Sequence, residues 1–326
     1  MFEELGLIGN VLVLAASLVI LDRASELTID NAVKVSEISG FGKTVIGFIL
    51  VALVTTLPEL SVSVFAALIG EGIGLAVGNI LGSNVVNICL ILGAGFLIAS
   101  MKSSDLLKMT PLFVKEEVGT LYFGIFVASI VPLTLLYIGH TSRFIGLILI
   151  GIFVFYIFKL ARVKRTKNEA FREGNSKLKV YVFLAVLGAL IVVASANFIV
   201  ESAVYIAEKL GVHQVALGAT IVAFGTSVPE FANTIKSAMK GHLELALGNI
   251  VGSCFTNTTL ILGVALVGAS FTVNIAAFTN LVVFSLMANL MLWYFLSSEK
   301  ISWREATVLL FMYCVFLVVS FGGYKT

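Results

Sequence analysis

The sequence predicts an all-α polytopic membrane protein, with about ten transmembrane helices in two inverted-topology five-helix repeats. Three observations carry that expectation. Hydrophobic residues fill 59% of the 326 positions and charged residues 12%, about half of the roughly 25% usual in soluble domains. Apolar runs of about 18 residues or more, long enough to cross a bilayer, recur from end to end. Finally, two stretches, one in each half, repeat nearly residue for residue. The runs are continuous, unlike the short alternating strands of a β-barrel.

Breaking the chain at charges and glycines gives spans near 6–33, 44–69, 73–100, 117–138, 142–161, 180–208, 214–239, 243–271, 274–297 and 303–323. The first has no basic leading segment and no small-residue cleavage site, so it reads as a retained span. One sizeable hydrophilic link, "ARVKRTKNEAFREGNSKLK", occupies 161–179 and separates an N-terminal half, 1–160, from a C-terminal half, 180–326. It carries seven Lys/Arg against two Glu. Placing it in the cytoplasm, beside anionic lipid, puts fifteen basic residues inside and three outside, as the positive-inside rule requires. The expected location is the cell (plasma) membrane, with both termini extracellular.

The repeat is explicit. "GFGKTVIGFILVALVTTLPELS" (40–61) aligns without gaps on "GVHQVALGATIVAFGTSVPEFA" (211–232). Upstream, "TIDNAVKVSEISG" matches "IVESAVYIAEKLG"; downstream, "LAVGNILGSNVVNICLILG" (75–93) matches "LALGNIVGSCFTNTTLILG" (245–263). Five spans per half is an odd number, so equivalent helices face opposite ways. Many secondary transporters are built like this, with their site at mid-membrane.

Glu59 and Glu230 hold equivalent places in the repeat. An acid at a helix centre costs roughly 2.5–3.5 kcal/mol on insertion scales, which makes each a candidate functional residue. Carboxylates brought together across a pseudo-two-fold axis repel unless a proton or a cation intervenes. Thr55 and Thr56 precede Glu59 by about one turn, as Thr226 and Ser227 precede Glu230, so hydroxyls share each acid's face. Pro58 and Pro229 remove a backbone donor and open the preceding turn. Irregular backbone at membrane depth is tolerated where it lines a cavity. On the next helix of each half, Ser83 with Asn87 and Ser253 with Asn257 sit at i, i+4. Gly78-x-x-x-Gly82 and Gly248-x-x-x-Gly252 offer small-residue faces for close helix approach. Carboxylates, amides, hydroxyls and carbonyls without His or thiolate describe a site for hard cations such as Ca²⁺ or Na⁺.

The chain lacks a phosphate-binding G-x-x-x-x-G-K-[ST] loop and a soluble domain large enough to bind a nucleotide, so no nucleotide is expected as a partner; no nucleic acid is expected either. No cofactor or enzymatic activity is expected, and uphill transport would draw on an ion gradient. Cys89, Cys254 and Cys314 form no disulfide framework. Lys236 is expected to snorkel to the interface. Asp30 and Glu201, equivalent in the repeat, read as solvated helix ends or gate-helix anchors. His140, His213 and His242 fall at loops.

At these residues a resemblance becomes specific. "TTLPE…GNILGSNVVN" and "GTSVPE…GNIVGSCFTN" resemble the two α-repeats of the cation/calcium exchanger superfamily, nearest its sodium/calcium exchangers. The resemblance implies Na⁺/Ca²⁺ antiport by alternating access, with spans one and six sliding over the core. It implies that Glu59 and Glu230 bind Ca²⁺ and share Na⁺, and that Asn87 and Asn257 complete the central site. It also implies flanking Na⁺ sites formed by Thr55, Thr56, Ser83, Thr226, Ser227 and Ser253 with the carbonyls of Ala52 and Ala223. The alternative expectation is antiport of Ca²⁺ or another divalent cation against H⁺. This sequence departs from the pattern at Val54, opposite Gly225, and at Asn257, where some relatives carry Asp. Two facing carboxylates neutralise one Ca²⁺ or two Na⁺, which disfavours K⁺ co-transport. Asn233 is an extra polar group opposite Val62.

Overall fold

Backbone amides in hydrocarbon have no water to pair with, so each span must close its hydrogen bonds internally. A computed structural model describes residues 6–60, 63, 73–102, 115–161, 175–209, 223–268, 275–298 and 301–322. They form ten helical segments, the architecture expected. We number them α1 (Gly6–Ser39), α2 (Lys43–Thr55, continued by 57–60), α3 (73–102), α4 (Lys115–Ile138), α5 (Arg143–Ala161), α6 (Asn175–Lys209), α7 (223–239), α8 (243–268), α9 (Ile275–Ser297) and α10 (Trp303–Gly322). Among the described residues, eight are long and apolar enough to cross a membrane. The two that are not, α2 and α7, are the interrupted pair. Parts of their expected spans, most of the 161–179 link and His213 lie outside the described residues.

Burial ranks the helices. The apolar stretches of α8 and α3 are 83% and 67% buried, whereas those of the other six range from 17% to 44%. The two second-motif helices therefore form the centre. Outer helices turn large apolar side chains outward, as Leu12 and Val19 do on α1, Phe155 on α5 and Phe311 on α10. In lipid these faces need no protein cover.

Small residues set the central packing. A Cβ built at Gly248 would fall 2.1 Å from the Thr44 carbonyl oxygen, and one at Gly252 would fall 2.8 Å from Phe48 Cα. The expected glycine face on α8 thus meets the main chain of α2. Gly78 and Gly82 of α3 have no close neighbour among the described residues. Their repeat-equivalent contacts would fall on 215–223, of which only Ala223 is described.

Both α2 and α7 break at the residue three before the glutamate. Thr56 has φ −80°, ψ 5°, and Ser227 has φ −92°, ψ 8°. The proline two residues later supplies no N–H and crowds the preceding turn, so the helix tightens here and restarts. A second irregularity leaves no such mark in the sequence. Wide π-type turns run over Gly47–Val51 in α2, Val86–Leu92 in α3 and Asn257–Ile261 in α8. The last two begin beside or at the predicted asparagines, Asn87 and Asn257, and π-turns often mark functional sites.

Helix α1 has 34 residues and α6 has 35, about 51 Å and longer at 1.5 Å per residue. That exceeds the roughly 30 Å hydrocarbon core. They pack on each other closely enough that a Cβ at Gly188 would meet Thr28 Oγ1 at 2.6 Å. Two sequence boundaries need correction here. Helix α1 extends six residues beyond its expected end at 33, and α6 starts at Asn175, so the end of the hydrophilic link is helical. Lys34, in the extension of α1, lies 5.1 Å from the centre of the Tyr181 ring near the start of α6.

Lys236 also departs from expectation. It does not simply snorkel but pairs with Asp22 of α1 at 2.6 Å. One turn on, Lys240 reaches Asp30 at 2.5 Å and Glu26 at 3.3 Å. Asp22, Glu26 and Asp30 are spaced four apart, as are the two lysines, so the partners form a ladder along the α1–α7 contact. Asp30 is accordingly a contact to α7, and Glu201 is exposed.

Candidate functional site

The breaks in α2 and α7 bring the two repeated motifs together at the centre of the bundle. Glu59 and Glu230 are both fully buried and near enough for their charges to repel. Each carboxylate is approached by hydroxyls of the opposite half. Ser227 donates to Glu59 Oε1 at 3.2 Å, and Thr226 also bonds that carboxyl group. Thr55 of the first half bonds Glu230, while Ser253 of α8 donates to Glu230 Oε1 at 3.3 Å.

The remaining expected residues gather here too. Thr56, Ser83, Asn87 and Asn257 are buried. Asn257 Nδ2 donates to Asn84 Oδ1 at 3.2 Å, joining α8 to α3. Asn87 lies beside the Cys254 thiol, and neither of its amide atoms bonds nitrogen or oxygen among the described residues. The Ala52 carbonyl already accepts the Thr56 N–H at 3.0 Å, the Thr56 hydroxyl at 3.0 Å and the Thr55 hydroxyl at 3.3 Å. It can serve a cation only when the hydroxyls turn away. Ala223 begins the described part of α7.

Five buried oxygens of these side chains have no hydrogen-bond donor among the described residues: Glu59 Oε2, Glu230 Oε2, Ser83 Oγ, Asn87 Oδ1 and Asn257 Oδ1. Leaving buried acceptors unpaired costs about 1–3 kcal/mol each, more for a charged group. All five are hard oxygen ligands, two of them anionic, a donor set suited to Ca²⁺ or Na⁺. Among the described residues no three His, Cys, Asp or Glu side chains come together. The charge at this centre is therefore that of the two glutamates.

Sequence reasoning missed three asparagines. Asn84 pairs with Asn257, but its counterpart in the other half is Cys254, so comparing the repeats could not reveal it. Asn79 and Asn249 are identical in both motifs and could have been found there. Thr55 Oγ1 donates to Asn249 Oδ1 at 3.4 Å, and Thr226 Oγ1 donates to Asn79 Oδ1 at 3.5 Å. Each asparagine thus reaches the threonine of the other half, as the pseudo-two-fold requires. Asn233, the extra polar residue, is fully buried, with neither amide atom partnered among the described residues.

Comparison with known proteins gives a consistent answer. The sodium/calcium exchanger protein family profile matches residues 9–161 and 180–322. The chain is 30% identical to the sodium/calcium exchanger MaX1 of Methanosarcina acetivorans, over 96% of this chain and 98% of that protein. It is 31% identical to the putative antiporter CaxA of Alkalimonas amylolytica, over 83% and 84% respectively. Among solved structures it superposes on the sodium-calcium exchanger NCX_Mj with a TM-score of 0.82 at 22% identity, covering 96% of this chain and 99% of that one. That likeness shows a shared fold. With both halves matched by one profile and a relative matched along nearly its whole length, the chain belongs to the sodium/calcium exchanger protein family.

Proposed function

We propose that this protein is a secondary antiporter exchanging Na⁺ for Ca²⁺ at a mid-membrane site built on Glu59 and Glu230. The observation that carries the reading is the set of five buried oxygens, two of them on the buried carboxylates, that have no donor among the described residues. A dication between the carboxylates cancels their repulsion, and so do two monocations. Because both ions need the same two charges, they compete, and competition at one site is what couples their fluxes.

In this reading Asn87 and Asn257 complete the Ca²⁺ position with their amide oxygens. Thr55, Thr56, Ser83 and the Ala52 carbonyl serve Na⁺ on one side of it. Thr226, Ser227, Ser253 and the Ala223 carbonyl serve Na⁺ on the other. The long α1–α6 pair, closely packed on itself and tied to α7 by exposed ion pairs, is the unit that moves over the core to open either face. The protein sits in the plasma membrane with the 161–179 link in the cytoplasm and both termini outside. The halves 1–160 and 180–326 are its two repeats. MaX1 and NCX_Mj bear sodium/calcium exchanger names, which supports Na⁺ as the counter-ion.

The test is radioactive Ca²⁺ uptake into proteoliposomes loaded with Na⁺. Glu59→Gln and Glu230→Gln, which keep the shape and remove one charge, should each abolish uptake while the purified protein stays folded. Full uptake by either variant would refute the two-glutamate site.

A further inference from the structure

The two asparagines overlooked in the sequence have a geometry that assigns them a task. We infer that Asn79 and Asn249 are positioning residues. Each accepts the hydroxyl hydrogen bond of the threonine across the repeat axis, so that Thr226 and Thr55 present lone pairs alone to the bound cation. The inference rests on the Na⁺/Ca²⁺ exchange reading and deepens it, because it concerns how the site favours Na⁺.

Thr55 has a single hydroxyl proton and three acceptors for it. The Ala52 carbonyl lies at 3.3 Å, Asn249 Oδ1 at 3.4 Å, and the Glu230 carboxylate also bonds the hydroxyl. Two of those acceptors are themselves wanted by a cation. A proton given to Glu230 or to Ala52 O occupies an oxygen the ion needs. Given to Asn249, it leaves the Glu230 carboxylate and the Thr55 lone pairs free and takes one of the three donors off the Ala52 carbonyl. A hydroxyl donates once and accepts twice, so committing its proton elsewhere turns it into a pure acceptor.

Asn249 is held in the orientation this requires. Its Nδ2 donates to Thr234 Oγ1 at 3.2 Å and to the Glu230 main-chain oxygen at 3.5 Å. With the NH₂ end engaged, Oδ1 is the end left for Thr55. Close packing keeps the pair in register: a Cβ at Gly47 of α2 would fall 2.9 Å from the Asn249 backbone nitrogen. Asn79 faces Thr226 in the same way at 3.5 Å. Asn79 and Asn249 also stand one turn before Ser83 and Ser253, on the same side of their helices.

The effect should be selective. Ca²⁺ draws most of its binding energy from the two carboxylates, whereas Na⁺, with half the charge, depends more on neutral oxygens. A hydroxyl free to point its proton at the ion is a poorer ligand, and Na⁺ feels the loss more. One net hydrogen bond of about 1 kcal/mol corresponds to about a five-fold change in affinity.

The experiment is a double-mutant cycle with Asn249→Leu and Thr55→Val, repeated on the other side with Asn79→Leu and Thr226→Val. Na⁺ and Ca²⁺ are titrated separately, by flux in proteoliposomes and by the shift each ion causes in the thermal unfolding midpoint. The expected result is about a five-fold weakening of Na⁺ by each Asn→Leu change, with Ca²⁺ moved much less. In the Thr→Val background the Asn change should have no further effect on Na⁺. A purely structural asparagine would shift both ions alike and act additively with the threonine, and either outcome overturns the inference. Should Asn249→Leu fail to fold, the Asn79 side decides, because Asn79 Nδ2 has no partner to strand among the described residues. If wild-type protein shows no Na⁺-driven Ca²⁺ flux, the exchange reading fails. The thermal titrations then still test the asparagines.

Discussion

Replacing Gly248 with alanine probes the contact on which the site is assembled. A Cβ at this position would lie 2.1 Å from the Thr44 carbonyl oxygen, about 1.3 Å short of the 3.4 Å at which ordinary contact begins. Two more atoms of the same peptide stand at 2.9 and 3.0 Å. All three belong to main chain, so no rotamer change can relieve the clash, and α2 must retreat from α8. Overpacking of this kind costs about 1–3 kcal/mol, and main-chain neighbours place it at the upper end. Alanine's better helix propensity returns up to about 1 kcal/mol, leaving a net loss of about 2 kcal/mol. A gap of 0.5–1 Å also forfeits about a quarter to a half of each dispersion contact along the seam, and dispersion is a main force holding membrane helices together. The retreat carries Thr55 away from Asn249, so Na⁺ affinity should fall with stability. The assay is the thermal midpoint of purified protein, with Gly151→Ala as control. Gly151 lies on the exposed face of α5 with nothing within 4 Å among the described residues, so that change should be neutral or stabilising. Equal midpoints for the two variants would refute the packing argument.

The ion-pair ladder between α1 and α7 should behave as a weak tether. Its acids are 37–57% exposed, so removing one pair with Asp30→Asn or Asp22→Asn should lower stability by no more than about 1 kcal/mol. High salt should erase the difference, and the charge swap Asp22→Lys with Lys236→Asp should restore it. A loss insensitive to salt would contradict an electrostatic origin. In the turn between α7 and α8, the Lys43 ammonium donates to His242 Nδ1 at 3.0 Å. Burial, then the charges of Lys43 and Lys240, hold this imidazole below the usual histidine range. The unfolded chain therefore takes up the proton first as pH falls. The stabilisation is full above the ordinary value of about 6.5 and is lost as pH drops through the lowered one. In His242→Gln, thermal midpoints measured against pH should lose this acid-side decline; an unchanged profile would assign the decline to another group.

Much of the fold was legible because lipid imposes simple rules. Span number followed from apolar length, and the breaks in α2 and α7 followed from Pro58 and Pro229. The residues of the candidate site followed from writing one half above the other. What stayed hidden depends on contacts across the sequence. Lys236 meets Asp22 from 214 positions away, so read alone it resembled any lysine at a helix end. Asn84 pairs with Asn257, but a cysteine occupies its place in the other half, and the repeat argument passes over it. Asn79 and Asn249 were visible in the aligned motifs, yet the adjacent glycines already accounted for the conserved-looking pattern as a packing face. The wide turns at Asn87 and Asn257 come from how α3 and α8 settle against their neighbours, and no proline or glycine inside the turn announces them. Helix ends were misjudged where charged residues continue a helix beyond the hydrocarbon, as at Lys34 and Lys177.

The most direct test of the account sets two gradients against each other in the same proteoliposomes. Ca²⁺ uptake is measured with an outward Na⁺ gradient at uniform pH, and again with a pH gradient and no Na⁺. The account predicts uptake in the first case, collapsing when the Na⁺ gradient is dissipated, and none above background in the second. Uptake that ignores Na⁺ and follows pH would contradict it and make Glu59 and Glu230 proton acceptors in a Ca²⁺/H⁺ antiporter.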